Sequence, residues 1–509
     1  MQARDFRNLL ELVQAACSRN PGRIVLEHSG HQLSYADLTE HAGAFGQHLA
    51  TLGVGPTSFA VLPVENSIEY VIALLGILAS GATVVPLNPD TSASELQTIL
   101  SDCGAHVLIA RERVLERLGC IGGSPHTVAL SANLIENLAR FGKIPDTGVP
   151  PALPEDPAMV LYTSGTSGRP KGVVLTHLNL LANTLSIVEY LRLTSADSIV
   201  NVLPFFHSFG NSVLLTHLAA GAEIVIENRF AFPNQVVQTM QSARPTGFSG
   251  VPTTFYILLH KTTFLKQDWS FLRYISQAGG GMRVETVRQL SDALPAAAIY
   301  IMYGQTEASA RLSYLPPEML DQKPGSIGVP IPGVELDLLD AEGRPVHGDD
   351  QGEIVARGDN VMRGYLNDPE GTAEALRGGW LHTGDIARRD RDGFFTIAGR
   401  QGDFIKSAGH RISPGEIEEV IAAGVPGIED VAVIGVPDEV LGEAVAACVS
   451  CSPDKFDAAA IIGVCRAHLP LHKIPKHVFH DNEIPRTASG KKQYFLLRER
   501  YQSRRGISR

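Results

Sequence analysis

The segment from Leu161 to His177 reads LYTSGTSGRPKGVVLTH and joins a short apolar run to a glycine- and hydroxyl-rich stretch. The run from Ala158 to Tyr162 predicts a buried strand. The Thr, Ser and Gly residues after it can turn several successive backbone N–H groups inward, as in sites that bind polyphosphate. Lys171 adds a mobile positive charge, and Pro170 stiffens the turn beside it. We therefore expect this stretch to form a phosphate-binding loop.

Two alternatives for this loop are a flexible linker and a Walker-type phosphate loop. Gly/Ser-rich stretches are usually linkers, but a linker rarely follows a buried strand and leads into a helical pattern such as Leu178–Tyr190. A Walker loop ends in Gly-Lys-Ser/Thr, whereas Lys171 lies between Pro170 and Gly172. The sequence therefore predicts a nucleotide-binding loop of another kind.

The composition excludes several classes of partner. The chain has 509 residues and a net charge of −11, which allows two to four domains with sizeable cores. No nucleic-acid partner is expected, because neutralising phosphates requires a basic surface. The N-terminus MQARDFRNLLELVQAACSRN carries acidic residues within its apolar pattern and does not resemble a signal peptide. The protein is therefore expected to be cytoplasmic.

One apolar stretch, Tyr70–Pro89, approaches the length of a membrane-spanning helix, about 20 residues. It carries no charge, but Ser80, Gly81 and Pro86 interrupt it. The pattern predicts a helix through Ala79 that is capped near Gly81 and leads into a buried strand. No membrane span is therefore expected.

The CxxC formed by Cys448 and Cys451 can be read as half a metal site or as a redox pair. Both residues lie in AVAACVSC, which predicts a strand, and residues three apart on a strand face opposite sides. The sequence has no second CxxC, and its other cysteines lack the density of a disulfide scaffold. Two buried structural cysteines are therefore expected.

Helix-to-strand units recur at His217–Glu227 and Ala293–Gly304, which predicts a parallel sheet covered on both faces. After Gly325 apolar and polar residues alternate between Gly/Asp turns, which predicts antiparallel or barrel-like structure. The expected fold class is α/β. Residues 1–400 are expected to form a large N-terminal domain of βαβ-layered sheets with a β-rich subdomain, and residues 401–509 a small mobile α+β domain.

The segment YGQTE, Tyr303–Glu307, follows the predicted strand AAIYIM. It should lie at the carboxyl edge of the sheet, where ligands of open α/β folds bind. Glu307 is a candidate ligand for Mg²⁺ on phosphate oxygens, Thr306 a candidate phosphate contact, and Tyr303 a candidate cover for a base. A loop glutamate taken alone is usually just solvated, so the assignment needs further motifs.

Three further segments supply them. In GWLHTGDIARRDRDGFF, Asp385 lies in a His-Thr-Gly-Asp turn and can accept both hydroxyls of a ribose, although such an Asp taken alone more often stabilises a turn. In GRQGDFIKSAGHRISPGEIEEV, the residues Ser413–Glu416 have the spacing of a helix capping box with Pro at the first helical position. IPRTASGKKQY places Lys491 at a turn near the C-terminus, where a lone lysine is normally surface charge.

Together these segments resemble the adenylate-forming superfamily of acyl-CoA synthetases, nonribosomal-peptide adenylation domains and luciferases. The resemblance runs from LSYADL at Leu33 to SGKKQ at Ser489. It implies a small C-terminal domain that rotates between two half-reactions. It also implies an AMP-forming acid–thiol ligase, which joins a carboxylate to the α-phosphate of ATP and then transfers the acyl group to a thiol.

The resemblance also implies roles for individual residues. Lys491 is the implied catalytic lysine of the first step, and Thr306 and His207 are further catalytic residues. Glu307 and Thr166 are implied Mg²⁺ contacts. The implied contacts to ATP and to the thiol arm are Thr163, Ser164, Gly165, Thr166, Ser167, Gly168, Lys171, Gly279, Gly280, Gly281, Tyr303, Gly304, Gln305, Asp385, Arg400, Lys406, Gly409 and His410.

The acid pocket is implied around the motif PFFHSFG. His207 is interpreted as a gate beside the reacting carboxylate rather than as a structural histidine. LPFFHSFGNSV contains no Asp or Glu that could pair with the ammonium of an amino acid. A medium-chain or aromatic monocarboxylate is therefore expected. The implied lining residues are Phe206, His207, Ser208, Val251, Gly279 to Met282, Ala308 and Ser309.

Three functions follow from these residues: an acyl-CoA ligase, a free-standing adenylation enzyme that loads a separate carrier protein, and a non-catalytic acyl-nucleotide binder. Lys171, Glu307, Asp385 and Lys491 are all present, which argues against the third. CoA and the phosphopantetheine of a carrier share the reacting arm, so the first two stay open and CoA ligation leads. One residue departs from the family: Gly402 stands where an Asp or Lys is commonly the interdomain pivot.

Overall fold

The computed structural model describes residues 2–118, 126–130, 152–164, 170–346, 348, 350–400, 405–407, 410–438, 441–486 and 492–505. The α-helices of the described residues are α1 (Leu9–Arg19), α2 (Tyr35–Thr51), α3 (Ile68–Ala79), α4 (Ala93–Cys103), α5 (Glu112–Leu118), α6 (His177–Leu191), α7 (Ser208–Ala220), α8 (Pro233–Ala243), α9 (Pro252–Lys261), α10 (Val284–Ala293), α11 (Pro369–Ala375), α12 (Pro414–Gly424), α13 (Ala458–His468) and α14 (Tyr494–Arg505).

The strands alternate with these helices in the first half of the chain and follow one another closely in the second. They are β1 (Ile24–His28), β2 (His31–Ser34), β3 (Phe59–Pro63), β4 (Thr83–Leu87), β5 (Val107–Ala110), β6 (His126–Ala129), β7 (Pro157–Ser164), β8 (Pro170–Thr176), β9 (Ser198–Asn201), β10 (Glu223–Ile226), β11 (Gly247–Gly250), β12 (Tyr274–Gln277), β13 (Ala298–Tyr303), β14 (Ser313–Leu315), β15 (Val329–Pro330), β16 (Val334–Leu339), β17 (Gly352–Gly358), β18 (Gly364–Tyr365), β19 (Leu381–Arg389), β20 (Phe395–Arg400), β21 (Ile405–Ser407), β22 (His410–Ile412), β23 (Ile428–Asp438), β24 (Gly442–Cys451) and β25 (His477–His480).

Two large sheets form the N-terminal part, and both are parallel at their centres. The first has the order β15-β14-β13-β12-β11-β9-β10-β1-β2, and the second has the order β18-β8-β7-β4-β3-β5-β6. Parallel pairing runs from β13 to β1 in the first sheet and from β7 to β6 in the second. Apolar strands that are buried almost throughout, such as β3 and β4, fit sheets covered on both faces. The predicted α/β class is confirmed.

The C-terminal half changes to antiparallel structure, as the sequence pattern after Gly325 predicts. Strands β16, β17, β19 and β20 form a third, antiparallel sheet. The chain then enters a fourth sheet of β21 to β25, which packs with α12, α13 and α14. This α+β arrangement was expected. The boundary between residues 400 and 401 stays a prediction, because residues 401–404 lie outside the described part of the chain.

The apolar stretch Tyr70–Pro89 folds as its sequence predicts. Ser67 caps α3 by accepting a hydrogen bond from the Tyr70 N–H at 3.1 Å, and Gly81 adopts a φ of +79° after the helix. The following strand β4 is buried at every position. No helix of the described residues is both long and apolar enough to cross a membrane. The cytoplasmic location stays a prediction.

Cys448 and Cys451 lie on β24 with 3% and 7% exposure, and they face different cores. Cys448 packs in the cluster that includes Ile434, whereas Cys451 packs in the cluster that includes Ile421. The strand and the opposite orientation of the two thiols are confirmed.

The predicted capping box at Ser413 is wrong. Ser413 does precede α12, with Pro414 at its first position, but its side chain caps no helix N–H. Its hydroxyl donates instead to the Ala398 carbonyl on β20, and the Glu416 carboxylate pairs with Lys473. Because a hydroxyl makes whichever hydrogen bond its surroundings offer, a partner from the third sheet has replaced the local one.

Candidate active site

Four consecutive strands of the first sheet bring most of the predicted site residues to one edge. The parallel strands β9, β11, β12 and β13 are neighbours in that sheet, and the carboxyl ends of parallel strands lie at the same edge. Each is followed by a predicted site segment: respectively His207, Val251, the turn from Gly279 to Gly281, and Gly304 to Glu307. The predicted position of YGQTE at the carboxyl edge is confirmed.

The turn after β13 is held tightly by its own backbone. Gly304 has no room for a side chain, because a Cβ there would lie 2.2 Å from the Ala310 carbonyl oxygen. The Gln305 carbonyl accepts hydrogen bonds from the N–H groups of Ala308 and Ala310. The Thr306 hydroxyl donates to the Ser208 hydroxyl at 3.3 Å. The turn is therefore fixed against the first residue of α7.

His207 immediately precedes α7 and does not cap it with its side chain. Its ring packs on Phe206 with 4.5 Å between ring centroids. The first N–H groups of α7 have no partners within the helix, as at any helix N-terminus, so this end of α7 favours negative charge. The gate role of His207 stays a prediction.

The strands on either side of the glycine-rich segment pair with each other. β7 and β8 pair antiparallel, with Thr163 opposite Lys171 and Ser164 opposite Pro170. The sequence interpretation of Thr163 to Lys171 as one continuous loop is therefore wrong at its ends, because these four residues belong to strands. The predicted contacts Gly165, Thr166, Ser167 and Gly168 lie outside the described residues.

Lys171 and Glu307 come together through a tyrosine that the sequence interpretation missed. Tyr365 lies on β18 and pairs with Val173 of β8. Its hydroxyl donates to Glu307 Oε1 at 2.9 Å, and Lys171 Nζ lies 4.8 Å from its ring centroid. Burial and the Glu307 carboxylate raise the pKa of Tyr365, so it remains a hydrogen-bond donor at neutral pH.

Asp368 is a second residue that the sequence interpretation missed. Its carboxylate lies 3.4 Å from Lys171 Nζ and caps α11 by accepting from the Gly371 N–H at 2.8 Å. The Gly371 hydrogen bond and, to a smaller extent, Lys171 lower the pKa of Asp368. The Asp-Pro pair at 368–369 is a signal for a helix start, but nothing in it indicates contact with Lys171.

A third group of predicted residues joins the first and third sheets. The Tyr303 hydroxyl donates to Asp385 Oδ2 at 2.6 Å, and Arg400 Nε lies 3.8 Å from Asp385 Oδ1. Burial, followed by the Asp385 charge, raises the pKa of Tyr303 well above its usual value. Tyr303, Asp385 and Arg400 are thus adjacent. Their roles toward a nucleotide stay predictions.

The sequence predicted a turn for the His-Thr-Gly-Asp segment, and this prediction is wrong. The segment lies within the strand β19. Gly384 adopts a φ of +73°, and the ladder to β20 shifts register between Ile386 and Ala387. Because an irregular strand can redirect a side chain, Asp385 reaches Tyr303 from a strand of another sheet.

The turn after β12 has a supporting residue that the sequence interpretation did not identify. Gln277 is 1% exposed, and its amide donates to the Gly280 carbonyl at 2.7 Å. Gly279 adopts a φ of +84°, and a Cβ there would lie 3.1 Å from Val251. The positive φ and the close approach of Val251 explain the glycine at 279, whereas a Cβ would meet only an ordinary contact at Gly280 and open space at Gly281.

The catalytic lysine assigned by resemblance, Lys491, lies outside the described residues, as do Gly402, Gly409 and the side chains of Lys406 and His410. The neighbouring Lys492 is described and is engaged within the small domain. Its Nζ lies 2.5 Å from Glu418 Oε2 and 2.5 Å from the Val431 carbonyl oxygen. Of the two lysines in SGKKQ, Lys492 therefore has a structural role.

Comparisons with known proteins give consistent matches over nearly the whole chain. Residues 13–366 match the AMP-binding enzyme family, and residues 416–491 match the AMP-binding enzyme C-terminal domain. A feruloyl-CoA synthase from Amycolatopsis is 33% identical over 93% of this chain and 94% of its own. An oxalate–CoA ligase from Arabidopsis thaliana is 32% identical over 98% and 99%. The crystal structure of ATP-bound MatB from Rhodopseudomonas palustris has a TM-score of 0.90 at 28% identity and covers 97% of this chain and 99% of its own.

Proposed function

The chain belongs to the AMP-binding enzyme family as an AMP-forming acid–CoA ligase, and we propose that it activates an aromatic or medium-chain carboxylic acid as its acyl-AMP before thioester formation with CoA. The observation that carries the proposal is the cluster of Lys171, Tyr365 and Glu307 beside the carboxyl edge of the first sheet. It combines a cation for phosphate with a carboxylate held by one hydrogen bond. Such a pair suits the triphosphate of ATP.

Lys171 supplies the positive charge. Its side chain keeps 34% of its surface exposed, and Asp368 at 3.4 Å is its nearest carboxylate partner. A long, part-exposed ion pair is weak in water, so a triphosphate can compete with Asp368 for the ammonium. Thr166 and the other residues of 165–169 complete the phosphate site in our proposal.

Glu307 fits Mg²⁺. Tyr365 engages one of its carboxylate oxygens, and Mg²⁺ usually binds one or two carboxylates together with substrate phosphates. The described residues contain no group of three or more His, Cys, Asp or Glu side chains that could hold a metal alone. Glu307 would therefore hold the ion together with phosphate oxygens, and a bound ion would neutralise part of the phosphate charge.

In the first step the acid carboxylate attacks the α-phosphate, and pyrophosphate leaves. Two anions must approach each other, which requires positive charge and oriented N–H groups at the reacting centre. In our proposal the N-terminal end of α7 at Ser208 and the hydroxyl of Thr306 orient the carboxylate, and the hydrogen bond from Thr306 to Ser208 supports this. Lys491 would bind both anions, and the engagement of Lys492 by Glu418 supports this choice between the two lysines. Asp385 would accept the ribose hydroxyls after release from Tyr303.

In the second step a thiol attacks the acyl-AMP, and AMP leaves. We propose that Lys406, Ser407, Gly409 and His410 border the channel for the thiol arm. CoA is favoured as the acceptor, because the curated relatives named above are a CoA synthase and a CoA ligase. A carrier protein remains the second candidate, since its phosphopantetheine presents the same thiol.

The test is AMP release across a panel of carboxylic acids, with CoA and with phosphopantetheinylated carrier proteins in parallel reactions. The proposal expects acid-dependent AMP release with CoA, and at least an order of magnitude less with the carriers. Glu307→Gln serves as the site control and should raise the Mg²⁺ concentration needed for half-maximal rate. Acid-independent AMP release, or release that requires a carrier protein, would overturn the proposed function.

A further inference from the structure

The segment 383–385, which carries the proposed ribose carboxylate, is looped out of β19. Strands β17 and β19 pair as far as Val355 opposite His382, and the pairing resumes at Glu353 opposite Ile386. Three residues of β19 therefore stand against a single residue of β17. Backbone groups in such a bulge lose their ladder partners, so their N–H groups need other acceptors.

Glu353 supplies one of these acceptors from the neighbouring strand. Its side chain is 10% exposed, and its Oε1 accepts from the Gly384 N–H at 3.0 Å. Its Oε2 lies 2.9 Å from His382 Nδ1. Because a carboxylate accepts hydrogen bonds and does not donate them, the proton between these two groups belongs to His382. One buried carboxylate thus holds the Gly384 backbone and the ring of the residue before the bulge.

Thr383 supplies the second acceptor. Its hydroxyl accepts from the Asp385 N–H at 3.1 Å and donates to the Ile354 carbonyl at 2.7 Å. Between these two supports Gly384 adopts a φ of +73°, which glycine tolerates and other residues avoid. The direction in which Asp385 leaves the strand is therefore set by Glu353 on one side and by Thr383 on the other.

Asp385 is the residue through which the bulge reaches the proposed nucleotide site. Its Oδ2 accepts from the Tyr303 hydroxyl at 2.6 Å, and Arg400 Nε lies 3.8 Å from its Oδ1. Tyr303 ends β13 of the first sheet, whereas the bulge belongs to the third sheet. Hydrogen bonds weaken steeply away from their preferred geometry, so a carboxylate that acts between two sheets needs a fixed backbone.

We propose that Glu353 is a positioning residue of the ribose site. It fixes the Gly384 backbone and, through it, the direction of the Asp385 carboxylate, without touching the nucleotide itself. The inference rests on the proposed function, in which Asp385 accepts the ribose hydroxyls. Loss of Glu353 should therefore weaken recognition of those hydroxyls and leave recognition of the rest of ATP in place.

The test compares ATP with 2′,3′-dideoxy-ATP, which lacks both hydroxyls, in acid-dependent pyrophosphate exchange. At saturating acid and Mg²⁺ the wild type should have a KM at least about tenfold lower for ATP than for the dideoxy analogue, because only ATP donates to the carboxylate. Glu353→Met should raise the KM for ATP about tenfold and leave the KM for the analogue within about threefold. The kcat should change little, since the ribose contact is the same in the ground state and the transition state.

Two conservative variants show whether the carboxylate oxygens are responsible. Glu353→Gln should retain most of the preference for ATP, because its amide oxygen can accept from the Gly384 N–H. Glu353→Asp keeps the charge but is too short to reach Gly384, and it should lower the preference at least about threefold. Glu335→Gln, on β16 with a side chain 64% exposed, is the matched control and should behave as the wild type. A preference that survives in Glu353→Met overturns the inference, and if Glu353→Met fails to fold, an unchanged preference in Glu353→Asp does so.

A double-variant cycle separates positioning from a general structural role. Because Glu353 acts through Asp385, Glu353→Met combined with Asp385→Asn should raise the KM for ATP no further than Asp385→Asn alone. Additive increases, or a lower melting temperature of Glu353→Met with an intact preference for ATP, would show a structural glutamate and overturn the inference.

The wild-type protein distinguishes failure of this inference from failure of the proposed function. Exchange at equal KM for ATP and for the dideoxy analogue would mean that Asp385 does not bind the ribose, so the inference would fail while the ligase function stands. Absence of acid-dependent exchange with any acid of the panel would reject the ligase function itself.

Discussion

Tyr365→Phe removes one hydroxyl from the site and leaves the aromatic ring under Lys171. The lost contact is the 2.9 Å hydrogen bond from Tyr365 to Glu307 Oε1. In its absence the Glu307 carboxylate can rotate away from the direction in which it would bind Mg²⁺. The ring contact with Lys171 at 4.8 Å stays in place, so phosphate binding by the lysine should change little.

The size of the effect follows from the kind of contact. Hydrogen bonds to charged groups contribute about 1.5–3 kcal/mol when buried, and Tyr365 is only partly buried, so the lower end applies. A loss of about 1.4 kcal/mol corresponds to an affinity about tenfold lower. Removing a residue that hydrogen-bonds a metal ligand lowers metal affinity by a similar factor. We expect the Mg²⁺ concentration for half-maximal pyrophosphate exchange to rise about tenfold, and the rate at saturating Mg²⁺ to be largely restored.

The assay is acid-dependent ATP–pyrophosphate exchange over a range of Mg²⁺ concentrations, combined with paramagnetic resonance of Mn²⁺ binding in the presence of ATP. Tyr256→Phe, a change on a part-exposed face of α9, is the control and should match the wild type. Tyr365→Leu should also raise the KM for ATP, because it removes the ring. An unchanged metal requirement in Tyr365→Phe would refute the proposed positioning of Glu307.

Three other predictions address the small domain and the core. Lys491→Ala should lower pyrophosphate exchange by orders of magnitude and spare thioester formation from supplied acyl-AMP. Lys492→Ala should mainly lower the melting temperature. Equal loss of both half-reactions in Lys491→Ala would contradict the assignment of Lys491 to the first half-reaction. Gly402→Pro, which fixes φ near −65°, should keep pyrophosphate exchange and lose acyl transfer; full activity in both would place the pivot elsewhere. Burial lowers the pKa of His217 to about 4. Between pH 6.5 and 4 the unfolded state therefore binds more protons than the folded state. As the pH drops across that window, the free energy of unfolding should fall by about 3 kcal/mol. His217→Asn should lose this part of the pH dependence, and an unchanged profile would show that His217 is not the titrating group.

Local patterns in the sequence were sufficient for much of the fold. The helix through Ala79, the left-handed Gly81 and the buried strand β4 were all predictable, because apolar periodicity and glycine act over a few residues. The position of YGQTE at the carboxyl edge was also predictable, since it follows an apolar strand in an alternating α/β pattern. The sequence was less informative where a polar residue had a choice of partners. Ser413 was assigned to a capping box, but its hydroxyl bonds to Ala398 of the third sheet.

By itself, then, the sequence determined the class of fold, the family and the identity of the motifs, because these depend on residue types at short spacing. Only the tertiary structure decided which motifs meet and what lies between them. Tyr365 reaches Glu307 over a separation of 58 positions because β18 pairs with β8, and Arg311 reaches Phe209 because the turn after β13 packs on the start of α7. Contacts of this kind depend on strand order and on the path of the backbone, and a single sequence contains no local signal for either.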